Sequence, residues 1–195
     1  MKNDSSTSPR AFNRRAILGL LIAAPLSSAA AADHPSMAFM RQFAKDMLNA
    51  NRQGTVASFK AAIQRHADVA QIAEYSLGQY KGKLTPAQRQ RYYNGVATFM
   101  ARYFADQSRE YRVAKYELGD AAAEGQDVVI DSKVYLVSGK SYTVVWRLAR
   151  NHGAYKMVDT KVLGFSLAYM QRGLFTSYIS KRNGDVNQLI AVLNR

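Results

Sequence analysis

The stretch "YKMVDTKVLGFSLAYMQRGLF", Tyr155 to Phe175, begins with the alternation of a strand and ends with the spacing of a helix. Its two sides do not sort into one dry face and one wet face. Asp159 interrupts an apolar run, Gly164 marks a turn, and Ser166 stands where a helix cap belongs. Phe165, Leu167, Tyr169, Met170, Leu174 and Phe175 follow within a few residues. A junction of this kind joins a sheet to the helix that covers it. A core needs some of this apolar bulk, and the question is whether it needs all of it.

Upstream of the junction the period is two. "YRVAKYEL" (111–118), "DVVIDSKVYLV" (127–137), "SYTVVWRLAR" (141–150) and "AYKMVDTKVLG" (154–164) are rich in β-branched and aromatic residues. "SGK" and "NHG" are short glycine-containing hairpin loops, and "GDAAAEGQ" reads as a longer connection. Four such strands in succession make an antiparallel meander. Val128, Ile130, Val134 and Leu136 share a face of the second strand, and Tyr142, Val144, Trp146 and Leu148 share a face of the third. That face must be covered by helices.

The helices flank the strands. Residues 36–50 place Met40, Phe43, Met47 and Leu48 on one side, and residues 55–66 carry Val56, Phe59 and Ile63. Asp68 caps a short helix that stops near Gly78, and "KGKLTPAQ" is a linker. Thr85-Pro86-Ala87-Gln88 has the form of a capping box with proline at the first helical position. The helix it opens carries a broad aromatic stripe: Tyr92, Val96, Phe99, Met100, Tyr103 and Phe104. Beyond the junction, Ser166 begins a helix reaching about Lys181, and Asp185 caps a last one with Val186, Leu189, Ile190 and Leu193 inward. The expected class is α+β: an antiparallel four-stranded meander covered by helices.

The N-terminus has a different character. Arg14-Arg15 precede "AILGLLIAAPL" and "SSAAAAD", the charged, apolar and small-residue regions of a secretory signal peptide. The apolar run is too short to span a bilayer. Asn13-Arg14-Arg15-Ala16-Ile17-Leu18 also resembles a twin-arginine export signal, so either export route fits. The expected organisation is a signal peptide over 1–32 and one domain over 33–195. Losing residues 1–32 removes Lys2, Arg10, Arg14, Arg15 and Asp4 from a chain of net charge +13 and leaves about +10. With export, that charge favours an anionic membrane surface or an acidic protein over nucleic acid.

Catalytic chemistry is sparsely represented. Cysteine is absent, and His34, His66 and His152 lack the helical i, i+4 pairing of a zinc site, so neither metal nor cofactor is expected. No nucleophile elbow or phosphate loop occurs. Asp159 is the one candidate base, since an apolar strand raises a carboxylate's pKa. Its alternative is structural: pairing with Arg172, or accepting backbone N–H groups near the Gly164 turn. Three aromatic helices converging on one sheet face also suit a cavity for an apolar ligand. A close-packed scaffold without a cavity uses the same residues.

At this point the pattern becomes specific. "IAEYSLGQY" (72–80), "RQRYYNGVATFMARYFADQ" and "VDTKVLGFSLAYMQRGLFTSYI" resemble the MlaC family, also called the toluene-tolerance auxiliary family, from about residue 38 to the C-terminus. The family's aromatic, two variable residues, Val-Asp, then Gly-x-Ser-Leu and Arg-x-x-Phe match Tyr155, Val158, Asp159, Gly164, Ser166, Leu167, Arg172 and Phe175. Its Asp, then Ile, then Leu-Gly-x-Tyr match Asp68, Ile72, Leu77, Gly78 and Tyr80. Where the family often has Trp and Tyr, this chain has Tyr155 and Gln171. The resemblance implies a nuclear-transport-factor-2-like or cystatin-like shape with an apolar cavity. It implies a periplasmic, non-enzymatic carrier of phospholipid acyl chains, serving an inner-membrane ABC transport complex and an outer-membrane lipoprotein complex in outer-membrane lipid asymmetry. A branch associated with hopanoid synthesis keeps a hopanoid open as ligand, and a ketosteroid-isomerase-like enzyme using Asp159 is the other alternative.

The expected wall combines Ile130, Val134, Leu136, Val144, Trp146 and Leu148 of the sheet with Phe99, Met100, Tyr103, Leu167, Met170 and Phe175 of the helices. Asp159, Gly164, Ser166 and Arg172 are expected to fasten the corner.

The N-terminal reading makes the first prediction. The mature chain begins at Ala32 or Asp33 and is recovered from the periplasm. N-terminal sequencing of the protein from fractionated cells checks it, and a cytoplasmic chain beginning at Met1 refutes it.

Overall fold

A computed structural model describes residues 34–151 and 153–195. The expected signal peptide lies outside these residues. The order of elements is α1 (Pro35–Gln53), α2 (Val56–His66), α3 (Val69–Ser76), a 3₁₀ helix (Gly78–Lys83), α4 (Pro86–Glu110), β1 (Val113–Glu124), β2 (Asp127–Leu136), β3 (Ser141–Asn151), β4 (Ala154–Val162), β5 (Phe165–Ser166), α5 (Leu167–Ser180) and α6 (Val186–Leu193). The strands form one antiparallel sheet in the order β1-β2-β3-β4-β5. No helix among the described residues is long and apolar enough to cross a membrane.

The helix boundaries follow local chemistry. Thr55, Asp68, Ser166 and Asp185 each accept a backbone N–H from the first turn of the helix they precede. At α4, the Gln88 side chain accepts from the Thr85 backbone N–H at 2.8 Å. The sequence "KGKLTPAQ", expected as a linker, contributes its first residues to the 3₁₀ helix.

The sheet has five strands where four were expected, the fifth being the short β5, and its register is interrupted near the start of β1, between Val113 and Lys115, and at two bulges that bear on the site. β1 does not end at Leu118. Its register shifts between Leu118 and Ala121 and pairing resumes through Glu124↔Asp127, which leaves a hairpin loop of Gly125 and Gln126. Gly119 makes this possible: a Cβ there would lie 2.5 Å from a carboxylate oxygen of Asp131. The second bulge is in β4. Arg147 pairs with Asp159 and Leu148 with Met157, so Val158 is extra. Met157 and Val158 are consequently both buried, although they are neighbours on a strand. The odd placement of aspartate in an apolar run is thus the mark of a bulge, which re-aims the strand toward α5.

The corner beyond the bulge is held by Asp159. Its Oδ1 accepts from the Thr160 backbone N–H at 2.7 Å and from the Ala168 N–H, in the first turn of α5, at 3.1 Å. Of the two structural roles open to this carboxylate, backbone bonding is the one adopted. Arg172 forms no ion pair with it among the described residues; its guanidinium lies over the Tyr75 ring, 5.1 Å from the centroid. Arg172 lies in the second turn of α5, on a helix face directed at α3 and the 3₁₀ helix, where its Nε approaches Gly78. The turn between β4 and β5 has two left-handed residues, Leu163 at φ 52° and Gly164 at φ 85°. Glycine tolerates this; leucine is strained there.

Three apolar clusters result. One joins α1, α2 and α4 to the sheet through Phe43, Phe59, Ile63, Ile130, Leu148 and Met157. A second lies among the helices alone, around Tyr92, Val96, Phe175, Ile179 and Leu189. The third is small: Val134, Leu136 and Val144, with Tyr142, Trp146 and Val162 packed on it. His66 fastens α2 to α1. Its Nε2 lies 2.7 Å from Asp46 Oδ2, between the rings of Phe39 and Phe43. This bond is the main reason the Asp46 carboxyl titrates below its usual range.

The corner yields a stability prediction. Asp159→Ala orphans two N–H groups and costs about 1–3 kcal/mol. Asp159→Asn keeps an acceptor and loses only the charge facing the α5 N-terminus, about 0.5–1 kcal/mol. Arg172→Ala affects neither bond and costs less than Asp159→Ala. Urea denaturation of the three variants measures the order; an Arg172→Ala loss equal to that of Asp159→Ala contradicts it.

Candidate lipid-binding cavity

The small cluster on the sheet is small because the space above it is not filled. A cavity of about 320 Å³ opens between the inner face of the sheet and the helices. The sheet contributes Val134, Tyr142, Val144, Trp146, Thr160 and Val162. Ala44, Met47 and Leu48 of α1, Phe59 of α2, and Tyr103, Phe104, Gln107 and Ser108 of α4 form the opposite side. Val113, Tyr116 and Leu118 of β1 close one flank, and Leu163 and Leu167 the other. A second cavity of about 90 Å³ lies between α4, α5 and β4, lined by Ile72, Phe99, Met100, Met157, Val158, Asp159, Ala168, Met170, Gln171 and Leu174. Tyr103, Phe104, Thr160 and Leu167 line both and stand between them.

The sheet register explains this shape. Val144 lies opposite Ser132 on β2 and Val162 on β4, and Trp146 opposite Ile130 and Thr160. Small side chains at 132, 144 and 160 leave room that Trp146 does not fill. The indole cannot swing into that room. Its Nε1 donates to Ser132 Oγ at 2.8 Å, and its ring meets Phe43 edge-on at 5.0 Å. Ile130, beside Trp146 in the same row, and Leu148, in the next row, are fully buried in the core that joins the sheet to α1 and α2.

Of the residues expected on the wall, Tyr103, Val134, Val144, Trp146 and Leu167 line the large cavity. Phe99, Met100 and Met170 line the small one, as do Tyr103 and Leu167. Ile130, Leu148 and Leu136 lie off the lining, buried in the adjoining core. Phe175 faces Phe99 edge-on at 5.1 Å within the helical core. Sequence reasoning passed over α1, α2 and β1 as sources of the wall. The signal was present in Met47 and Leu48 of the first helix and in the Tyr116/Leu118 alternation.

Chemically the large cavity is neutral. Its lining includes no Lys, Arg, His, Asp or Glu. Most of its polar groups are already engaged within the chain. Asn51 donates to the Tyr111 carbonyl and accepts from the Val113 N–H, Ser108 donates to the Ala105 carbonyl, and Ser132 donates to the Val144 carbonyl. In the small cavity, Gln171 donates to Ser76 Oγ at 2.7 Å. Asp159 also borders the small cavity, with one oxygen engaged by two backbone N–H groups. Burial raises the Tyr142 phenol above its ordinary range, and the nearby phenols of Tyr111 and Tyr103 add to the shift.

The fold has a counterpart of known structure. The phospholipid-binding protein from Ralstonia solanacearum, solved in complex with a phospholipid, superposes with a TM-score of 0.67 at 23% identity, covering 84% of this chain and 96% of that one. Among curated proteins no sequence is similar enough to count as a relative. The family model described as MlaC protein matches residues 37–195. That span takes in every element carrying the cavity, and the chain belongs to the MlaC family.

Proposed function

We propose that this protein is a periplasmic phospholipid carrier. It holds acyl chains in the cavity beneath α1 and α4 and moves lipid between an inner-membrane ABC transport complex and an outer-membrane lipoprotein complex. The observation that carries the reading is a cavity of about 320 Å³ without a charged side chain in its lining, in a chain of the MlaC family. An acyl chain entering such a space gains about 0.8 kcal/mol per buried methylene. Carriage needs no bond to break, and the phospholipid bound by the Ralstonia protein has the chemistry this lining suits. Asp159 acts as a fastener, and no catalytic group is assigned.

Transfer needs a surface on which the cavity can be presented. Leu163, Phe165, Tyr169, Met170 and Leu174 are exposed, and three of them also line the cavities. From Thr160 to Gly184 the chain carries Lys161, Arg172, Lys181 and Arg182 and no carboxylate. An apolar collar flanked by cations suits brief docking to acidic partner surfaces.

Two outcomes follow. Protein purified gently from its native compartment carries lipid mass in native mass spectrometry, and Val144→Trp carries much less while keeping a cooperative melt. Val144 borders open space, so the larger ring fills it; in a close-packed core the same change would overpack by about 1–3 kcal/mol. Circular dichroism beside lipid counts separates the two. A wild type without lipid together with a collapsed Val144→Trp melt refutes carriage. Docking is expected to be faster at low salt, since the Debye length falls from about 10 Å at 0.1 M to about 3 Å at 1 M. An association rate with purified transport components that is flat across that range removes charge steering.

A further inference from the structure

The neutral lining leaves a small set of polar groups without a partner, and they lie together. Among the described residues, Tyr103, Tyr116, Tyr142 and Gln107 line the large cavity, and their side-chain polar groups make no hydrogen bond within the chain. Water reaches these exposed or half-buried groups, and a ligand that displaces the water must offer acceptors in its place. Tyr103 and Gln107 are one turn apart on α4, so they share a ridge. Tyr116 and Tyr142 flank Val134 on β1 and β3, in direct register on either side of it. The nearness of the helix and sheet groups shows in Tyr142, whose titration the Tyr103 phenol influences.

These groups are graded in depth. Tyr103 is 42% exposed, while Tyr116 and Tyr142 are half-buried. The donors thus occupy the zone between open mouth and dry interior. In a diacyl phospholipid that zone holds the glycerol ester carbonyls, neutral acceptors between charged headgroup and apolar tails. Phosphate recognition ordinarily uses Arg, Lys or a cluster of backbone N–H groups, and this lining includes no cation.

Resting on the carrier reading above, we propose that Tyr103, Tyr116, Tyr142 and Gln107 form a neutral donor ring that recognises the ester carbonyls of a diacyl lipid and so selects ester-linked lipids over ether-linked ones. The ring sets how deep the lipid sits: tails below it, headgroup beyond it. Headgroup charge plays no part in this selection.

The test offers delipidated protein an equimolar mixture of diester phosphatidylcholine and its dialkyl ether analogue. The two share tails, phosphate and choline and differ in the carbonyls. Bound lipid is extracted and counted by mass spectrometry. Wild type is expected to enrich the diester about tenfold, and each single Tyr→Phe change to lower the ratio about twofold to tenfold. The triple variant Tyr103→Phe, Tyr116→Phe, Tyr142→Phe is expected to bind lipid at a ratio near one. Phenylalanine preserves shape, and these hydroxyls hold nothing else in the fold; circular dichroism melts verify that the variants remain folded. Tyr135→Phe, whose hydroxyl bonds Glu117 instead of facing the cavity, leaves the ratio unchanged.

A second arm replaces the ether lipid with diacylglycerol, which keeps the carbonyls and lacks the phosphate. Near-equal uptake of diacylglycerol and phospholipid supports the ring as a carbonyl reader. A preference that follows the phosphate, or a diester preference that survives in the triple variant, overturns it. A wild type that binds diester and diether equally also overturns it while leaving carriage intact. Uptake of neither lipid defeats the carrier reading itself.

Discussion

The indole of Trp146 divides the inner face of the sheet into a filled half and an open half. On one side it packs edge-on against Phe43, with Ile130 and Leu148 fully buried nearby. On the other side it faces the cavity, where Val144 and Thr160 are too small to close the gap. Its bond to Ser132 fixes which way it lies. A protein interior normally closes to crystal-like density, since each missing contact forfeits dispersion energy. Keeping a cavity open therefore requires walls that cannot relax inward. Here Trp146 is braced by its bond to Ser132 and its contact with Phe43, and α4, which lines the other side, is also anchored in a separate core around Tyr92, Phe175 and Ile179.

That division of labour explains which parts of the structure were legible in the sequence. The meander, the helix starts and the strand-to-helix junction each follow from a local rule: alternation of two, a cap at Ser166, a turn at Gly164. They are local because hydrogen bonding to neighbouring backbone decides them. The length of β1 was not legible. Pairing resumes beyond Gly119 only because Asp131 of the partner strand occupies the space a side chain would need. Which of the two roles open to Asp159 is adopted was not legible for a similar reason. Sequence distance from Asp159 says nothing of the helix face on which Arg172 stands, and that face turns toward Tyr75.

Wall and core were the hardest to separate. Val144 and Leu148 lie on the same face of the same strand and are both almost completely buried, at 4% and 0% exposure. One lines the cavity and the other lies beneath α1 and α2. The difference comes from what crosses above them, which is a matter of helix placement and of the sizes of residues 132 and 160 on neighbouring strands. Hydrophobicity and period are identical at the two positions.

The collar around the cavity obeys a different constraint. Leu163 keeps a left-handed backbone, which an L-residue with a branched side chain adopts at a cost of about 1–2 kcal/mol, and is 71% exposed. Burial does not compensate for that conformation. The same leucine lines the cavity, while Gly164 beside it takes its own left-handed conformation at no such cost. Strain retained on an exposed apolar residue at a cavity rim is a mark of use in place of stability. The contrast with Asp159, a few residues earlier, is instructive. There the carboxylate accepts two backbone N–H groups and ties β4 to the first turn of α5. The chain thus passes within five residues from a fastener to a strained apolar tip, and the tie at the first sets where the second is held at the mouth.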